Sequence, residues 1–567
     1  MTRTGAELFV ETLEGYGVTH IFGNPGTTEL PVVHAIGDSD IEYRLALHED
    51  IAVGMAGGYA STRRYHAHHD AEPIGEGDVL PLGVANLHLN AGLAHGLGNL
   101  YAAQMTGSPV LVTAGNHDLD FRHEEPLLTG DLVDMAAEYT KWSAEVLDVE
   151  TLPTMLRRAV RTALTPPTGP VFLALPLDAM LAETDAEPER LGPIPTAGRG
   201  DPEQVARAAS LMTDANDVTL VLGDGVARTG RDAVDAAVSL AEAAGARVHG
   251  EILACEINFP TDHDQWVSYI PPDEDLARTL MSADVLVFVG CSTNTTLTAH
   301  EKQLVPDGTT CIHISDDVWQ IGKNEPADAA VVGDPEQVMT ELAERVDDEL
   351  SAETRESRLE MLAAQKEFVA AKVREMGEDD AEDDPRASKA ELVDTMYDVV
   401  PDAYIVDEGV TAKYAMLTRW PMGADQYLSN KGGGLGYGLP ASVGAAIAES
   451  QTENPRDVVG FVGDGSYLYY PHSMYSAARY DVDLTVVIPD NRNYRILKDN
   501  TLAVMGGEES DYDFIGMDFD PPVNLVANAE SHGVRGELVE TPDELAETLE
   551  TALSREGTDV IDVLVHD

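Results

Sequence analysis

Short runs of consecutive apolar residues, the pattern of a strand buried on both faces, recur along the chain and alternate with longer stretches of helical periodicity. In residues 1–190 these runs are Val18–Phe22, Tyr43–Leu47, Gly83–Leu87, Pro109–Thr113 and Val171–Leu175, with helices predicted from Thr28, Asp50 and Ala91. A second series, Val218–Leu222, Val285–Val289 and Ile312–Ile314, falls within 200–345. Residues 346–388 are charge-rich and lack a strand pattern, which predicts an acidic helical linker ending near Pro385. The last series, Ala403–Val406, Val458–Val462, Thr485–Ile488 and Asp559–Val565, belongs to 389–567. The expected fold class is α/β, with three doubly wound parallel-sheet domains and no tandem repeat.

Length agrees with this division, since 567 residues exceed what one core fills. Charge adds a restriction. The 100 acidic residues against 36 basic ones give a net charge of −64, which excludes general nucleic-acid affinity and disfavours anionic membranes. With 43% hydrophobic residues the chain is nevertheless a folding sequence, and its acidic surface is that expected of a halophilic protein, whose self-repulsion salt screens. Cys255, Cys291 and Cys311 are few and widely spaced, as expected of structural thiols in a reducing cytoplasm. The sequence shows neither an apolar leader nor a run of about 18 apolar residues, so the expected location is cytoplasmic.

The chemistry concentrates at strand ends. Val458–Val462 runs directly into Gly463-Asp464-Gly465-Ser466, where glycines let the backbone approach a phosphate and Asp464 sits at the strand's carboxyl end. One βαβ unit later, 27 residues past Asp464, stands Asn491 in Pro489-Asp490-Asn491-Arg492-Asn493. A carboxylate, an amide oxygen and a backbone carbonyl are hard ligands suited to Mg²⁺ on a diphosphate. A second copy, Gly223-Asp224-Gly225, has Glu251 at the same distance and no Asn beside it. It reads as an ordinary strand-to-helix turn.

This spacing resembles the binding motif of thiamine-diphosphate-dependent enzymes of the pyruvate decarboxylase and acetolactate synthase type. The resemblance implies a pyrimidine-binding, a middle and a diphosphate-binding domain, with Mg²⁺ held by Asp464, Asn491 and the carbonyl of Asn493. Asp490 departs from the family's Asn pair. Glu49, expected at a strand end, would share a proton with the cofactor's aminopyrimidine, and Ala52, Gly54, Ala56 and Gly57 predict a helix fit for close packing. The run Lys431-Gly432-Gly433-Gly434-Leu435-Gly436 resembles the loop in which Gly433 and Gly434 lie along the cofactor and Leu435 bends it. Thr411, Gly463, Gly465 and Ser466 are implied at the diphosphate.

Within the family the chain is most similar to the benzoylformate decarboxylase branch. Phe22-Gly23-Asn24-Pro25-Gly26-Thr27 resembles its first active-site loop, which implies that Thr27 orients the substrate carboxylate. His88 and His263 stand where that branch places a proton-relaying pair. The implied reaction is loss of CO₂ from a 2-oxo acid, protonation aided by His88 or His263, and release of an aldehyde. Ser429 and Asn500 replace aromatic pocket positions, with Ile496 and Leu497 beside them, so a smaller or more polar acid than benzoylformate is expected.

An acetolactate-synthase-type carboligase is the competing reading, opposed by His88; an inactive scaffold of the same fold is a third. The resemblance also implies a homodimer at least, commonly a tetramer, and leaves open whether the middle domain holds FAD. The cluster His66-Ala67-His68-His69-Asp70 reads as a solvated loop insertion rather than a metal site.

Overall fold

The apolar runs form the centres of three six-stranded sheets in the computed structural model, which describes residues 2–69, 79–292, 295, 299–377 and 384–566. The first sheet has the spatial order Glu42–Leu45, His20–Asn24, Gly83–Leu87, Val110–Asn116, Val171–Pro176, Ser143–Glu145, with every pair parallel. Five of the third sheet's six strands are Tyr404–Glu408, Val458–Val462, Leu484–Asp490, Thr558–Leu564 and Arg535–Val539, again parallel and in that order. Central strands are buried along their whole length, which is why they read as unbroken apolar runs.

The chain divides into two compact units, one of residues 1–194, 382–416 and 432–567, the other of 195–381 and 417–431. In the first unit the helix Glu49–His69 meets the helix Gly438–Glu449 backbone to backbone. A Cβ on Gly58 would stand 2.1 Å from the Ala441 carbonyl oxygen, and one on Gly444 would stand 2.0 Å from that of Met55. Larger side chains there would force the helices apart. The predicted small-residue helix therefore serves the packing expected of it.

The second unit holds the middle sheet, in the order Trp266–Tyr269, Arg247–Gly250, Val218–Leu222, Val285–Val289, Thr310–Ser315, Ala329–Val332, all parallel. The strand order reverses beside Val218–Leu222, as in a doubly wound fold. Within the expected linker, residues 346–349 finish the helix Pro335–Glu349 of the middle domain, and Ala352–Gly377 forms a long helix. Arg358 ties the second of these helices to this unit by donating to the carbonyls of Ala244, Met212 and Ala215.

Two sequence expectations change. Glu49 does not end a strand: the strand stops at Leu45, and Glu49 is the first residue of its helix. His66 is not in a solvated loop, because that helix runs on to His69 and buries His66, whose Nε2 lies 3.0 Å from the Glu449 carboxylate. Asp70, the end of that cluster, lies outside the described residues. Short strands with partly exposed or polar residues, among them Ser143–Glu145 and Arg535–Val539, carry too little apolar signal to be read. The three cysteines are free and buried, as expected. No helix among the described residues is long and apolar enough to cross a membrane.

Candidate active site

Parallel pairing brings the carboxyl ends of Tyr404–Glu408, Val458–Val462 and Leu484–Asp490 side by side. The chain leaves these ends as Gly409–Ala412, Gly463–Ser466 and Asn491–Tyr494, and together they line one crevice with Leu435 and Ile496. Asp464, Asn491, Asn493, Gly463, Gly465 and Ser466 are thus gathered as their spacing predicted, together with Thr411 and Leu435, which the resemblance implied. Gly433, at φ +73°, and Gly434 precede Leu435 without lining the crevice.

Asp464 is 5% exposed; its Oδ1 accepts from the Gly465 N–H at 2.8 Å, and no donor among the described residues reaches its Oδ2. Burial, reinforced by the neighbouring Asp490 carboxylate, pushes Asp464 up to about 8. Asp562, on the adjoining strand Thr558–Leu564, is also buried, and burial with the charge of Asp490 pushes it up to about 7. A hidden carboxylate with an undonated oxygen is a group that a cation satisfies. The donor set therefore fits Mg²⁺. Asp562 was missed in the sequence because nothing local distinguishes it from the other acidic residues.

Glu49 lies elsewhere in the first unit and does not line this crevice. Its Oε2 is 3.2 Å from His95 Nδ1, and a Cβ on Gly92 would stand 2.9 Å from its Oε1, so the glycine makes room for the carboxylate. His48 stacks on His95 with ring centroids 5.1 Å apart. His48 Nδ1 accepts from the Asp50 N–H at 3.1 Å, which leaves the proton on Nε2 and makes this His–Glu–His group a poor metal site.

The first loop assembles around a residue that the sequence did not single out. Glu29 is 1% exposed, and its carboxylate accepts from the backbone N–H groups of Gly26 and Gly115, from Thr28 Oγ1, and from His88 Nδ1 at 2.9 Å. His88 follows the strand Gly83–Leu87, and its ring lies so close to Gly26 that a Cβ there would overlap Nδ1 at 1.9 Å. With Nδ1–H donating to Glu29, His88 presents Nε2 as a proton acceptor. Thr27 opens the short 3₁₀ helix Thr27–Glu29 in the same loop. The signal available was the Glu two places after Thr27.

His263 belongs to the second unit. There its Nδ1 accepts from the Gln265 N–H at 3.1 Å, and its Nε2 lies 3.4 Å from Glu242. Ser429 is buried in the same unit, its N–H donating to the Cys255 carbonyl at 2.8 Å. Of the expected pocket residues on the helix Arg495–Met505, Ile496 enters the Asp464 crevice, whereas Leu497 and Asn500 are exposed.

Parallel α/β sheets with a glycine-walled crevice around a buried carboxylate that keeps one undonated oxygen are suited to a phosphorylated cofactor held through a cation. Comparison with known families sharpens that class. The thiamine pyrophosphate enzyme N-terminal TPP binding domain matches residues 3–137, the central domain 205–342 and the C-terminal TPP binding domain 408–563, and the chain belongs to this family. It is 29% identical to benzoylformate decarboxylase of Pseudomonas aeruginosa, over 98% of this chain and 97% of the relative. It is also 26% identical to a probable acetolactate synthase large subunit of Methanocaldococcus jannaschii, over 99% and 92%. A benzoylformate decarboxylase structure from Polynucleobacter necessarius superposes with a TM-score of 0.85 at 27% identity, covering 100% of this chain and 99% of the other. A thiamine diphosphate-dependent 4-hydroxybenzoylformate decarboxylase from Rhodococcus jostii gives 0.82 at 27%, with the same coverage.

Proposed function

We propose that the chain catalyses the non-oxidative decarboxylation of a 2-oxo acid to an aldehyde and CO₂. The observation that carries this is the contact of half-buried His88 with buried Glu29 in the loop of Thr27, which occupies Nδ1 and leaves the other imidazole nitrogen for proton transfer. The likeness to two decarboxylases supports it.

In this reading Asp464, Asn491 and the Asn493 carbonyl hold Mg²⁺, and Gly463–Ser466 with Thr411 hold the diphosphate. Bound thiamine diphosphate supplies a carbon nucleophile and a sink for the electrons released with CO₂. Glu49 holds a proton toward the pyrimidine; Thr27 orients the substrate carboxylate; His88, with His263, moves protons to and from the reacting carbons. Because Glu49 does not line the Asp464 crevice of its own chain, the working unit is a homodimer in which one copy supplies Glu49 and the other the diphosphate site, with a tetramer as a pair of such dimers.

Incubating the holoenzyme with a panel of 2-oxo acids and identifying products by mass tests the reaction. Aldehyde as the main product is expected; acetolactate from pyruvate would place the chain with the carboligases instead, the reading favoured by the acetolactate synthase relatives. Glu49→Gln should abolish turnover while leaving thiamine diphosphate bound, and undiminished turnover would remove Glu49 from the mechanism.

A further inference from the structure

Glu408 ends the strand Tyr404–Glu408 and is buried, yet among the described residues no ammonium or guanidinium pairs with its carboxylate. Instead that carboxylate accepts from the backbone N–H groups of Gly436 at 3.1 and 3.2 Å, Tyr437 at 3.2 Å and Gly438 at 2.9 Å. These groups open the helix Gly438–Glu449, where N–H groups lack partners within the helix. A Cβ on Gly438 would stand 2.6 Å from Glu408 Cβ, so the glycine is fitted to this carboxylate. Gly436, at φ +100°, is held from its other side as well: its carbonyl accepts from Asn99 Nδ2 at 3.4 Å, and the Asn99 N–H donates to Asp50 at 2.7 Å.

The position of Glu408 gives this contact a consequence. One residue further on, the chain becomes Gly409–Ala412, which lines the Asp464 crevice; one residue before Gly436 lies Leu435, which lines the same crevice. We propose that Glu408 is a positioning residue which, by clamping Gly436–Gly438, sets Leu435 against Gly409–Ala412 and thereby governs how tightly thiamine diphosphate is held. This rests on the cofactor reading above.

Ionisation bears on the clamp, because only the carboxylate offers all its lone pairs to the three N–H groups. Burial, opposed by the Gly438, Tyr437 and Gly436 N–H groups and aided by the Asp407 charge, pushes Glu408 up to about 7. The groups around it are few. Asp407 adjoins it and faces Lys413 at 3.9 Å; Tyr437 begins the helix; the Leu97–Thr106 helix contributes Asn99 with Asp50 behind it; Val458–Val462 brings no titratable side chain.

The test is Glu408→Gln, measured by amide hydrogen exchange of the apoenzyme and by calorimetric titration with thiamine diphosphate in Mg²⁺ from pH 6 to 8.5. Faster exchange at Gly436–Gly438 and a Kd raised roughly 10–100-fold are expected, as for loss of one or two charge-assisted hydrogen bonds. The wild-type Kd should also rise more steeply than the variant's as pH falls through about 7, the dependence contributed by Asp464 being common to both. Unchanged exchange and Kd would overturn the proposal, as would the same pH profile in both proteins. Should the Gln variant fail to fold, Glu408→Asp, which keeps the charge but shortens the reach, must shift both readouts in the same direction by less. A wild-type protein that binds no thiamine diphosphate, with exchange still altered in the variant, refutes the cofactor reading and this proposal with it while leaving the backbone contacts standing.

Discussion

Two Gly-Asp-Gly turns follow buried parallel strands in this chain, each with an oxygen-bearing side chain 27 residues on, and they hide their carboxylates in opposite ways. In the middle unit, the Lys431 ammonium stands 2.5 Å from Asp224 and 2.6 Å from Glu251, while Arg228 is 3.6 Å from Asp224. Asp224 Oδ1 also accepts from the N–H groups of Cys255 and Glu256. Burial alone would raise Asp224; Lys431 and Arg228 overcome it and hold the carboxyl well below the usual range. Around Asp464 the near neighbour is the carboxylate of Asp490, itself beside that of Asp562, and Arg492 comes only to 3.8 Å of Asp490. One turn carries its own cation. The other is raised to about 8 and suits a cation from solution. What separates a structural turn from a cofactor site is thus who neutralises the aspartate.

Removing the internal cation should have the largest effect. Lys431→Met leaves Asp224 and Glu251 buried without their ammonium, which costs about 3–5 kcal/mol when one partner of a buried pair is lost. The expected outcome is a middle unit that unfolds at much lower denaturant concentration. Adding Asp224→Asn and Glu251→Gln to the same chain should recover a large part of that loss, because the uncompensated charges go. A single Lys431→Met variant as stable as the parent in a urea titration would break the comparison.

The two sites should also respond oppositely to pH. Asp224 has a depressed pKa, so its stabilising contribution is present above the unfolded value near 3.8 and is lost as pH falls below it. Asp464 has a raised pKa, so its contribution is present below 3.8 and is lost as pH rises through about 8. The apoenzyme should therefore lose thermal stability between pH 5 and 8, and Asp464→Asn should flatten that slope. Mg²⁺ with thiamine diphosphate should flatten it too, by neutralising the same group, and chelation should restore it. A Tm profile identical in the apoenzyme, the loaded enzyme and the variant would show that Asp464 is not the group concerned.

How much of this was legible follows from the range of each contact. Asp464 and Asn491 stand on adjacent strands of one βαβ unit, so their spacing in sequence is their spacing in space. The glycines of the Glu49–His69 helix announced close packing because only close packing requires them. The contact of Lys431 with Asp224, and that of Asp562 with Asp490, join residues far apart in sequence: the turn at Asp224 was visible but not its cation, and in a chain with 100 acidic residues Asp562 does not stand out. His66 was misread for a related reason. A run of polar residues looks like a loop until Glu449, across the helix pair, supplies the partner that lets His66 be buried in a helix.

The smallest effect tests the departure at Asp490, where the family has an Asn. Its carboxylate is the second cause of the rise at Asp464, after burial, so Asp490→Asn should let Asp464 ionise at lower pH without touching any of the proposed Mg²⁺ ligands. Below pH 7 the variant should then bind Mg²⁺ more tightly than the parent, since fewer protons compete for Asp464. Above pH 8, where Asp464 is ionised in both, the extra negative charge of Asp490 should favour the parent. Mg²⁺ affinities measured by calorimetry in thiamine diphosphate should therefore cross between these limits, each difference within roughly tenfold, at the low end for a residue beside a metal ligand. Parallel curves would mean that Asp490 acts on the cation only through its charge and has no hold on the proton at Asp464.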